Sequence, residues 1–430
     1  MNCRIYLRFI RSVVLMVLGF LVYSCNKLTE EIPEVNYNNP IKIGVIAPIS
    51  EIRSLAESRN LTIMLAIEEI NRSGGIYGRD LMPVFKDDAG DPETAVDAVV
   101  ELNSQDINLL LAPVWSRVAL AVCEQVCIPN NMLFIGSVTT SPEVSELEDR
   151  NLVWRTTPSD RVQGRIGAEY VSQHLNKKTV GIIFLDDPYA IDLATIFKEN
   201  FENENGFGSV LSFIKYPSVE DWNTFDFSNY LDQLFFDKPE LIYFVSFSQD
   251  ASQITHSIVE NEYFDENYRP LLFSTDGPFT SDFLLNGHPE ILEGMQGTQS
   301  SPDPNSLNNM LFKQNFYKRF GIEHVQFSQE TYDAVYLLAY AMLNANSTEA
   351  VTIADKLRSV SGSPHQADAV IINVNEFSKA KSVIESGGCI DYKGASGNIE
   401  FDSLGDPSSG SYVIYHIING KYTIDSTIYF

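Results

Sequence analysis

Three polar residues follow predicted β-strands, and their side chains could together hold a small charged molecule. Ser116 stands at the start of a predicted helix, Thr140 follows the next strand, and Asp276 follows a strand in the second half of the chain. Hydroxyls and unpaired N–H groups at a helix start stabilise an anion, whereas a carboxylate accepts short, charge-assisted bonds from an ammonium group. Because Ser, Thr and Asp are also favoured as helix caps and turn residues, the residue types alone leave both interpretations open.

The sequence lacks the motifs of covalent or cofactor chemistry. It contains no G-x-S-x-G elbow, no P-loop and no dinucleotide fingerprint. An S-x-x-K match spans Ser212 to Lys215, but it lies in a predicted strand, whereas that nucleophile needs a helix start. We therefore expect a protein that is not an enzyme and needs no cofactor, and an exported hydrolase is the weaker alternative.

Histidine and cysteine spacing predicts no metal site. The six histidines are scattered singly. Cys123 and Cys127 share a face of a predicted helix because they are four residues apart, but no third ligand stands at a matching spacing. We interpret them as small buried apolar residues, with a metal or redox pair as the weaker alternative. The state of Cys389 is open.

The elements that must position the polar residues alternate between strands and helices. From Ile41 the chain repeats a β-branched run, a turn and an amphipathic helix, and the pattern restarts after Pro158. Strands are predicted at 41–47, 81–86, 107–112, 132–136, 179–185, 209–215, 241–246 and 271–274, and helices at 61–70, 92–104, 117–127, 189–204, 224–236, 250–261 and 332–343. The tail is predicted to form a hairpin closed around Asn419-Gly420.

We predict an α/β fold with two doubly wound parallel-sheet lobes joined by a hinge. The first lobe comprises residues 41–157 plus about 283–411, and the second comprises 158–282 plus about 412–430. A single sheet would not hold so many strands comfortably. In such sheets ligands bind beyond the carboxyl ends of the strands, where the three polar residues stand.

The N-terminus has the pattern of an export signal. Three arginines precede an apolar run at 13–23, which is too short to span a bilayer. The run ends in Ser24-Cys25, which resembles the cleavage box of bacterial lipoproteins. We expect a signal peptide at 1–24, lipidation at Cys25 and a flexible tether at 25–40. An ordinary signal peptide with a chance cysteine is the alternative.

The strongly acidic composition limits the partners of the chain. After cleavage, 27 basic residues stand against 57 acidic ones, a net charge of −30. Such a surface repels nucleic acid, so we expect no nucleic-acid partner. The chain is 44% hydrophobic and 20% charged, which indicates a globular rather than a disordered protein.

Several motifs resemble, in order, those of the type I periplasmic solute-binding proteins, the leucine/isoleucine/valine-binding family of ABC transporters. They are I-G-V-I-A-P-I-S at 43–50, L-A-I-E-E-I-N-R-S-G-G-I-Y-G-R at 65–79, F-K-D-D at 85–88, D-P-E-T-A at 91–95, R-T-T-P-S-D at 155–160, Y-D-A-V-Y at 332–336 and G-A-S-G-N-I-E-F-D-S-L-G-D at 394–406. The likeness covers nearly all of residues 41–430. It implies the periplasmic binding protein type I fold.

The resemblance implies an amino-acid site between the lobes. In that family the first lobe supplies hydroxyls and backbone amides to the α-carboxylate of the ligand, and the matching residues here are Ser116, Thr140 and the backbone of Val138. An acid of the second lobe binds the α-ammonium group, and Asp276 matches it. Phe247 takes the place of an aromatic residue that is usually tyrosine.

The first loop departs from the family pattern. The family commonly has S-G followed by two later glycines, whereas this chain has Ser50-Glu51, Ala56 and Thr62. The aromatic residue that often closes over the ligand is replaced at about Leu55. The ligand is therefore not restricted to a branched-chain amino acid.

Four residues are candidates for the side-chain pocket of the ligand. Arg53 lies in the altered loop, and Trp115, Phe247 and Phe279 suggest an apolar or aromatic pocket. Plain core packing is an equal alternative for the aromatic residues.

The leading hypothesis is a lipid-anchored solute-binding protein of an ABC importer on the periplasmic side of the cell envelope. It would close around an amino acid or a similar small-molecule ligand and present it to a permease, with acyl chains holding it to the inner or outer membrane. The alternatives are a sensor component for a signalling partner and a surface lipoprotein that no longer binds ligand. The identity of the ligand and the oligomeric state are open.

Overall fold

The computed structural model describes residues 39–202, 207–219, 221–362 and 368–430. The predicted signal peptide, Cys25 and all but the last residues of the predicted tether lie outside these ranges. Residues Pro40–Phe430 form one compact unit. Within the described ranges, no helix combines the length and the apolar character needed to cross a membrane.

A five-stranded parallel sheet in the order β2-β1-β3-β4-β5 forms the first lobe. Its strands are β1 (Ile41–Ala47), β2 (Leu81–Asp87), β3 (Leu109–Ala112), β4 (Leu133–Gly136) and β5 (Val153–Arg155). The helices between them are α1 (Arg53–Arg72), α2 (Pro92–Ser104) and α3 (Ser116–Val122), and a π-helical turn at Cys123–Cys127 follows α3. All neighbouring strands of this sheet are parallel, as the alternating sequence pattern predicts.

Alternate residues of these strands pack into two separate cores. Ile43 and Val45 of β1 face one core, whereas Ile46 faces the other. In β3, Leu111 joins the first core and Leu110 joins the second. Successive strand side chains point to opposite faces, so a continuous apolar run buries both faces of the sheet at once.

A seven-stranded sheet in the order β14-β13-β10-β9-β8-β6-β7 forms the second lobe. Its first strands are β6 (Thr179–Leu185), β7 (Ser209–Tyr216), β8 (Leu241–Val245), β9 (Leu271–Ser274) and β10 (Gln296–Ser300). The accompanying helices are α4 (Asp160–Gln173), α5 (Pro188–Phe201), α6 (Ser228–Phe235), α7 (Ser248–Glu260), α8 (Ser281–Asn286) and α9 (Pro289–Leu292). A short 3₁₀ turn at Trp222–Thr224 lies between β7 and α6.

Strand β10 corrects the lobe boundary expected near residue 283. It pairs in parallel with β9 and antiparallel with β13, so the second lobe extends to Ser300. The strand reads Gln-Gly-Thr-Gln-Ser, yet four of its five residues are buried. Because a polar strand gives no apolar run, the sequence pattern did not indicate it. The chain leaves the second sheet only after Ser300.

The chain then returns to the first lobe. The elements of this return are α10 (Leu307–Phe320), α11 (Ser328–Ala345), α12 (Ala350–Ala354), α13 (Leu357–Ser361), β11 (Val370–Ile372), α14 (Phe377–Glu385) and β12 (Ile390–Tyr392). Helix α11 is buried along almost its whole length in the core that also holds Ile43 and Val45. This burial explains why the helix carries only apolar and aromatic residues from Ala334 to Leu343.

The C-terminal hairpin is confirmed. Strands β13 (Ser411–Ile418) and β14 (Lys421–Tyr429) are antiparallel. The turn residues Asn419 and Gly420 have φ angles of 52° and 68°, as a tight two-residue turn requires. The hairpin completes the edge of the second sheet, as the predicted boundary near residue 412 implies.

The two neighbouring cysteines are buried and unpaired, in agreement with the sequence interpretation. Cys123 and Cys127 pack in the core between α2, α3 and the sheet, and Cys389 is exposed. Burial raises the pKa of the Cys123 thiol well above its ordinary value. Among the described residues, no group of three or more His, Cys, Asp or Glu side chains is arranged to hold a metal ion.

A buried guanidinium joins the first lobe to the segment that returns before the hairpin. Arg155 is 1% exposed and donates to both carboxylate oxygens of Asp406, at 2.7 Å each. It also donates to the Ser141 carbonyl at 2.8 Å and to the Ser145 hydroxyl at 2.5 Å. Bidentate, charge-assisted pairs of this kind are among the strongest side-chain interactions.

Arg155→Met should lower the free energy of unfolding by about 3–5 kcal/mol, because it leaves the Asp406 carboxylate unpaired. Urea titration measures this loss. The double variant Arg155→Met with Asp406→Leu should recover part of it. Arg161→Met is the matched control: its partner Glu146 is exposed, so we expect a change of at most about 1 kcal/mol. Equal losses in the two single variants would contradict the importance of the buried pair.

Candidate functional site

The structure brings all five predicted ligand-binding residues to one cavity between the lobes. That cavity is lined by Trp115, Ser116, Val138, Thr140, Tyr189, Phe247, Asp276, Gly277, Gln326 and Phe327. Its volume is about 20 Å³, which is room for about one water molecule. The lobes are therefore closed on each other at this point.

On the first-lobe side, the hydroxyls of Ser116 and Thr140 are buried at the wall of the cavity. Ser116 is the first residue of α3, and its Oγ accepts a hydrogen bond from the Ser141 N–H at 3.2 Å. The residue in the N-cap position of α3 is Trp115, and Ser141 caps the following 3₁₀ turn. Neither Ser116 nor Thr140 therefore serves as a helix cap, the alternative role suggested by residue type.

On the second-lobe side, Asp276 follows β9 and is 4% exposed. Its Oδ1 accepts hydrogen bonds from Gln163 Nε2 at 2.8 Å and from the Tyr189 hydroxyl at 2.9 Å. Burial raises the pKa of the Asp276 carboxyl, and these two donors oppose that shift. In the closed cleft, the carboxylate is thus held by neutral donors of its own lobe.

A second buried acid, Asp160, lies beside Asp276. Asp160 is the first residue of α4, is fully buried, and neither of its carboxylate oxygens has a hydrogen-bond partner among the described residues. Burial, followed by the charge of Asp276, raises the pKa of Asp160 well above its ordinary value. Two adjacent buried carboxyls favour a cation between or near them. Asp160 ends the motif R-T-T-P-S-D at 155–160, but its position there does not indicate a role in the cleft.

Aromatic side chains form the wall between the lobes. The rings of Trp115 and Phe247 are 4.9 Å apart, and those of Phe247 and Tyr189 are 5.3 Å apart. Phe279 is elsewhere: its ring packs 4.9 Å from Tyr415 and 4.1 Å from Tyr422 in the second lobe. Core packing, the alternative that the sequence left open, therefore describes Phe279.

The altered first loop lies at the mouth of the cleft. Arg53 pairs with Glu57 at 3.8 Å and lines a groove of about 1020 Å³ rather than the inner cavity. Glu51 accepts a hydrogen bond from Trp115 Nε1 at 2.8 Å, and its carboxylate lies over Gly90, where a Cβ would be 1.7 Å from Glu51 Oε2. Glu51 is thus a fixed part of the cleft wall.

An ion pair crosses the cleft near its mouth. Arg117 of α3 donates to Asp187 of the second lobe at 2.9 Å and lies 3.5 Å from Glu51. The Ser141 hydroxyl donates to Asp192 of α5 at 2.5 Å. These contacts join α3 and its neighbouring loop to α5, so both must break when the lobes separate.

The buried guanidinium of Arg59 lies next to Phe327, which forms the floor of the cavity. The Phe327 ring lines the cavity, its φ angle is 62°, and the Arg59 guanidinium lies 5.9 Å from the ring centroid. Burial lowers the pKa of Arg59 to about 10, and burial raises the pKa of Glu330, its charged neighbour, to about 8. Buried charges with few hydrogen bonds make this floor sensitive to protonation.

The sequence matches a known protein family over most of its length. The family is described as periplasmic binding protein, and the match covers residues 40–372. The chain belongs to this family. Membership gives it a solute-binding role outside the cytoplasm, and it confirms the resemblance to the type I solute-binding proteins.

Individual relatives of this periplasmic binding protein have low sequence identity to it, but they align with it over nearly its full length. A chemotactic signal transduction system substrate-binding protein, BasB, of Halobacterium salinarum is 24% identical, and the alignment covers 88% of this chain and 87% of BasB. The Leu/Ile/Val-binding protein BraC3 of Rhizobium johnstonii is 25% identical, with 89% and 92% covered. The crystal structure of the leucine binding protein LivK of Thermotoga maritima has a TM-score of 0.73 at 21% identity, covering 90% of this chain and 98% of that one. The predicted two-lobed fold is confirmed.

Stability should fall as the pH rises from about 4 to 8. Burial raises the pKa of Asp333 to about 6, of Asp88 and Asp250 to about 7, and of Glu330 to about 8. The folded protein therefore binds more protons than the unfolded chain above pH of about 4. The contribution of these carboxyls to the free energy of unfolding is present in full below their pKa values in the unfolded chain. It is lost as the pH rises through their pKa values in the folded protein.

Urea titrations across this range measure the effect. Each such proton contributes a slope of about 1.4 kcal/mol per pH unit, so Glu330→Gln should flatten the profile by up to that amount. Exposed acids with lowered pKa values, such as Asp91 and Asp226, change the free energy of unfolding mainly below pH of about 4. A profile that rises towards pH 8, or an unchanged slope in Glu330→Gln, would contradict this account.

Proposed function

We propose that this periplasmic binding protein holds an amino acid or a related small amphoteric ligand between its lobes and presents it to the permease of an ABC importer. The observation that carries the proposal is the position of Ser116 and Thr140 opposite Asp276 around one cavity. Anion-binding groups on one lobe and acids on the other match the two charges of an α-amino acid. The names of BraC3 and LivK, as Leu/Ile/Val-binding and leucine binding proteins, support the same ligand class.

In the proposed complex, the ligand carboxylate accepts from the Ser116 and Thr140 hydroxyls and from N–H groups near Val138. The ligand ammonium donates to Asp276. Asp160, a second buried acid, adds negative charge once it ionises, which makes the site more favourable for a cation than one acid alone. The raised pKa of Asp160 then falls when the ammonium arrives, because an opposite charge stabilises the carboxylate.

Binding requires that the lobes first separate. A cavity of about 20 Å³ is too small for an amino acid, and the Tyr189 hydroxyl occupies one of the acceptor positions on Asp276. The ligand therefore binds an open form and shifts the population to a closed form that it holds more tightly. Hinged closure around a ligand is the established movement of two-lobed binding proteins.

A second function is favoured by one relative. BasB of Halobacterium salinarum belongs by name to a chemotactic signal transduction system. The same closed cleft would then be recognised by a signalling protein instead of a permease. Cross-linking the ligand-loaded protein in intact cells distinguishes the two, because it recovers a permease in the first case and a transducer in the second. A surface lipoprotein without a ligand remains the third alternative.

Asp276→Asn should weaken amino-acid binding by about 30-fold to several thousand-fold, since losing one partner of a buried charge pair costs about 2–5 kcal/mol. Asparagine keeps the side-chain shape but removes the charge. Ser116→Ala removes one of several neutral donors and should cost about 1 kcal/mol. Calorimetric titration with the best amino acid from a thermal-shift screen measures both.

The matched control is Asp237→Asn, an exposed acid outside the cleft lining, which should bind as the unmodified protein does. Thermal unfolding without ligand confirms that each variant is folded. Binding by Asp276→Asn within about threefold of the unmodified protein, or a best ligand without a cationic group, would overturn the proposed clamp.

The lipid anchor belongs to the same proposal. Cys25 follows the export segment, and two or more acyl chains give stable anchoring where one gives only weak binding. Cys25→Ala should abolish palmitate labelling and release the protein from the membrane fraction. Cys389→Ala is the control, because that cysteine is exposed and lies far from the signal in sequence; it should label normally. A Cys25→Ala protein that still labels would exclude this anchor.

A further inference from the structure

A second cavity continues outward from the small inner one. Its volume is about 390 Å³, and it shares the walls Trp115, Phe247 and Gly277 with the inner cavity. A ligand whose two charged groups are held at Ser116 and Asp276 would send its side chain through these shared walls. We call the outer cavity the side-chain compartment.

The compartment is much larger than a branched-chain side chain needs. Its volume of about 390 Å³ far exceeds the volume of about 20 Å³ of the inner cavity, so the compartment has room for a side chain as large as a phenol or indole group.

The walls of the compartment are suited to flat rings. Trp115 and Phe247 come from opposite lobes, and Trp222 adds a second indole from the loop after β7. Aromatic rings attract one another in tilted and edge-on arrangements, beyond the area that they bury. Leu55, whose side chain is smaller than an aromatic one, also lines the compartment and leaves it wide.

Polar groups at the edge of the compartment could bind a ring substituent. The Glu51 carboxylate is fixed by Trp115 Nε1 at 2.8 Å, and Ser248 and Gln249 begin helix α7 beside it. An indole N–H or a phenol O–H is a donor for such acceptors. A ring substituent would add to the contacts that these groups already make, such as that of Ser248 Oγ with Thr280 Oγ1 at 2.7 Å.

We infer that the ligand of this cleft is an α-amino acid with an aromatic side chain, bound with its ring among Trp115, Phe247 and Trp222. The inference rests on the proposed amino-acid function, and it names the class of side chain. The inner cavity selects the amphoteric group, and the outer compartment selects the ring.

The test is calorimetric titration of the full chain, purified in detergent, with tryptophan, tyrosine, phenylalanine, leucine and isoleucine. At least one aromatic amino acid should bind tenfold or more tightly than leucine, which corresponds to about 1.4 kcal/mol. Trp222→Leu should reduce that preference at least threefold. Leu55→Trp, which narrows the compartment, should weaken aromatic binding at least tenfold and leave leucine binding within threefold.

Phe236→Leu is the matched control for Trp222→Leu, because Phe236 is an aromatic residue that is 67% exposed and does not line the compartment. It should leave every affinity unchanged. If leucine or isoleucine binds more tightly than all three aromatic amino acids, the aromatic assignment is wrong and the amino-acid function stands.

Deaminated analogues separate this inference from the proposed function. Indole-3-propionate and phenylpropionate keep the ring and the carboxylate but lack the ammonium group, so each should bind far more weakly than its parent amino acid. Equal binding by the analogues would overturn the amino-acid clamp while the aromatic compartment remained correct. If no amino acid binds, both statements are overturned.

Discussion

The buried guanidinium of Arg155 is the interaction on which the cleft depends. Its donors reach Asp406 in the returning segment, the Ser145 hydroxyl, and the carbonyl of Ser141 in the loop that presents Thr140. Burying a charged group is unfavourable unless its hydrogen bonds are all supplied. Here they are supplied by backbone and side chains from separate parts of the chain, so the loop can take its position only when the segment before the hairpin has docked.

The two sides of the cleft differ in the charge of the groups that they present. The first lobe presents neutral hydroxyls and N–H groups, whereas the second lobe buries Asp160 and Asp276, and no basic side chain in the described part of the chain is hydrogen-bonded to either. Two buried carboxyls destabilise each other when both are ionised. Burial and this repulsion keep the pKa of Asp160 well above its ordinary value, and the proposed ammonium ligand would allow this carboxyl to ionise in the closed form, which a neutral analogue would not.

Much of the fold was predictable because it follows from side-chain periodicity. The apolar runs of β1, β3 and β6 are buried on both faces, so the sequence shows them directly. Strand β10 was not predictable, since its Gln, Thr and Ser residues are buried only through their place between β9 and β13. The positions of Ser116 and Asp276 followed from the strand ends. The roles of Gln163 and Tyr189 did not, because they arise from contacts between residues distant in sequence.

The balance between open and closed forms is set by a small number of polar contacts. Arg117 reaches Asp187 across the cleft, and its side chain is 26% exposed, so water competes for this pair and its contribution is modest. The aromatic contact of Trp115 with Phe247 adds apolar area at the same place. A ligand that enters between these rings replaces that contact with two of its own. In the proposed complex its charged groups also bind Asp276 and Ser116, and these contacts favour the closed form, because a ligand shifts the equilibrium only by its difference in affinity for the two forms.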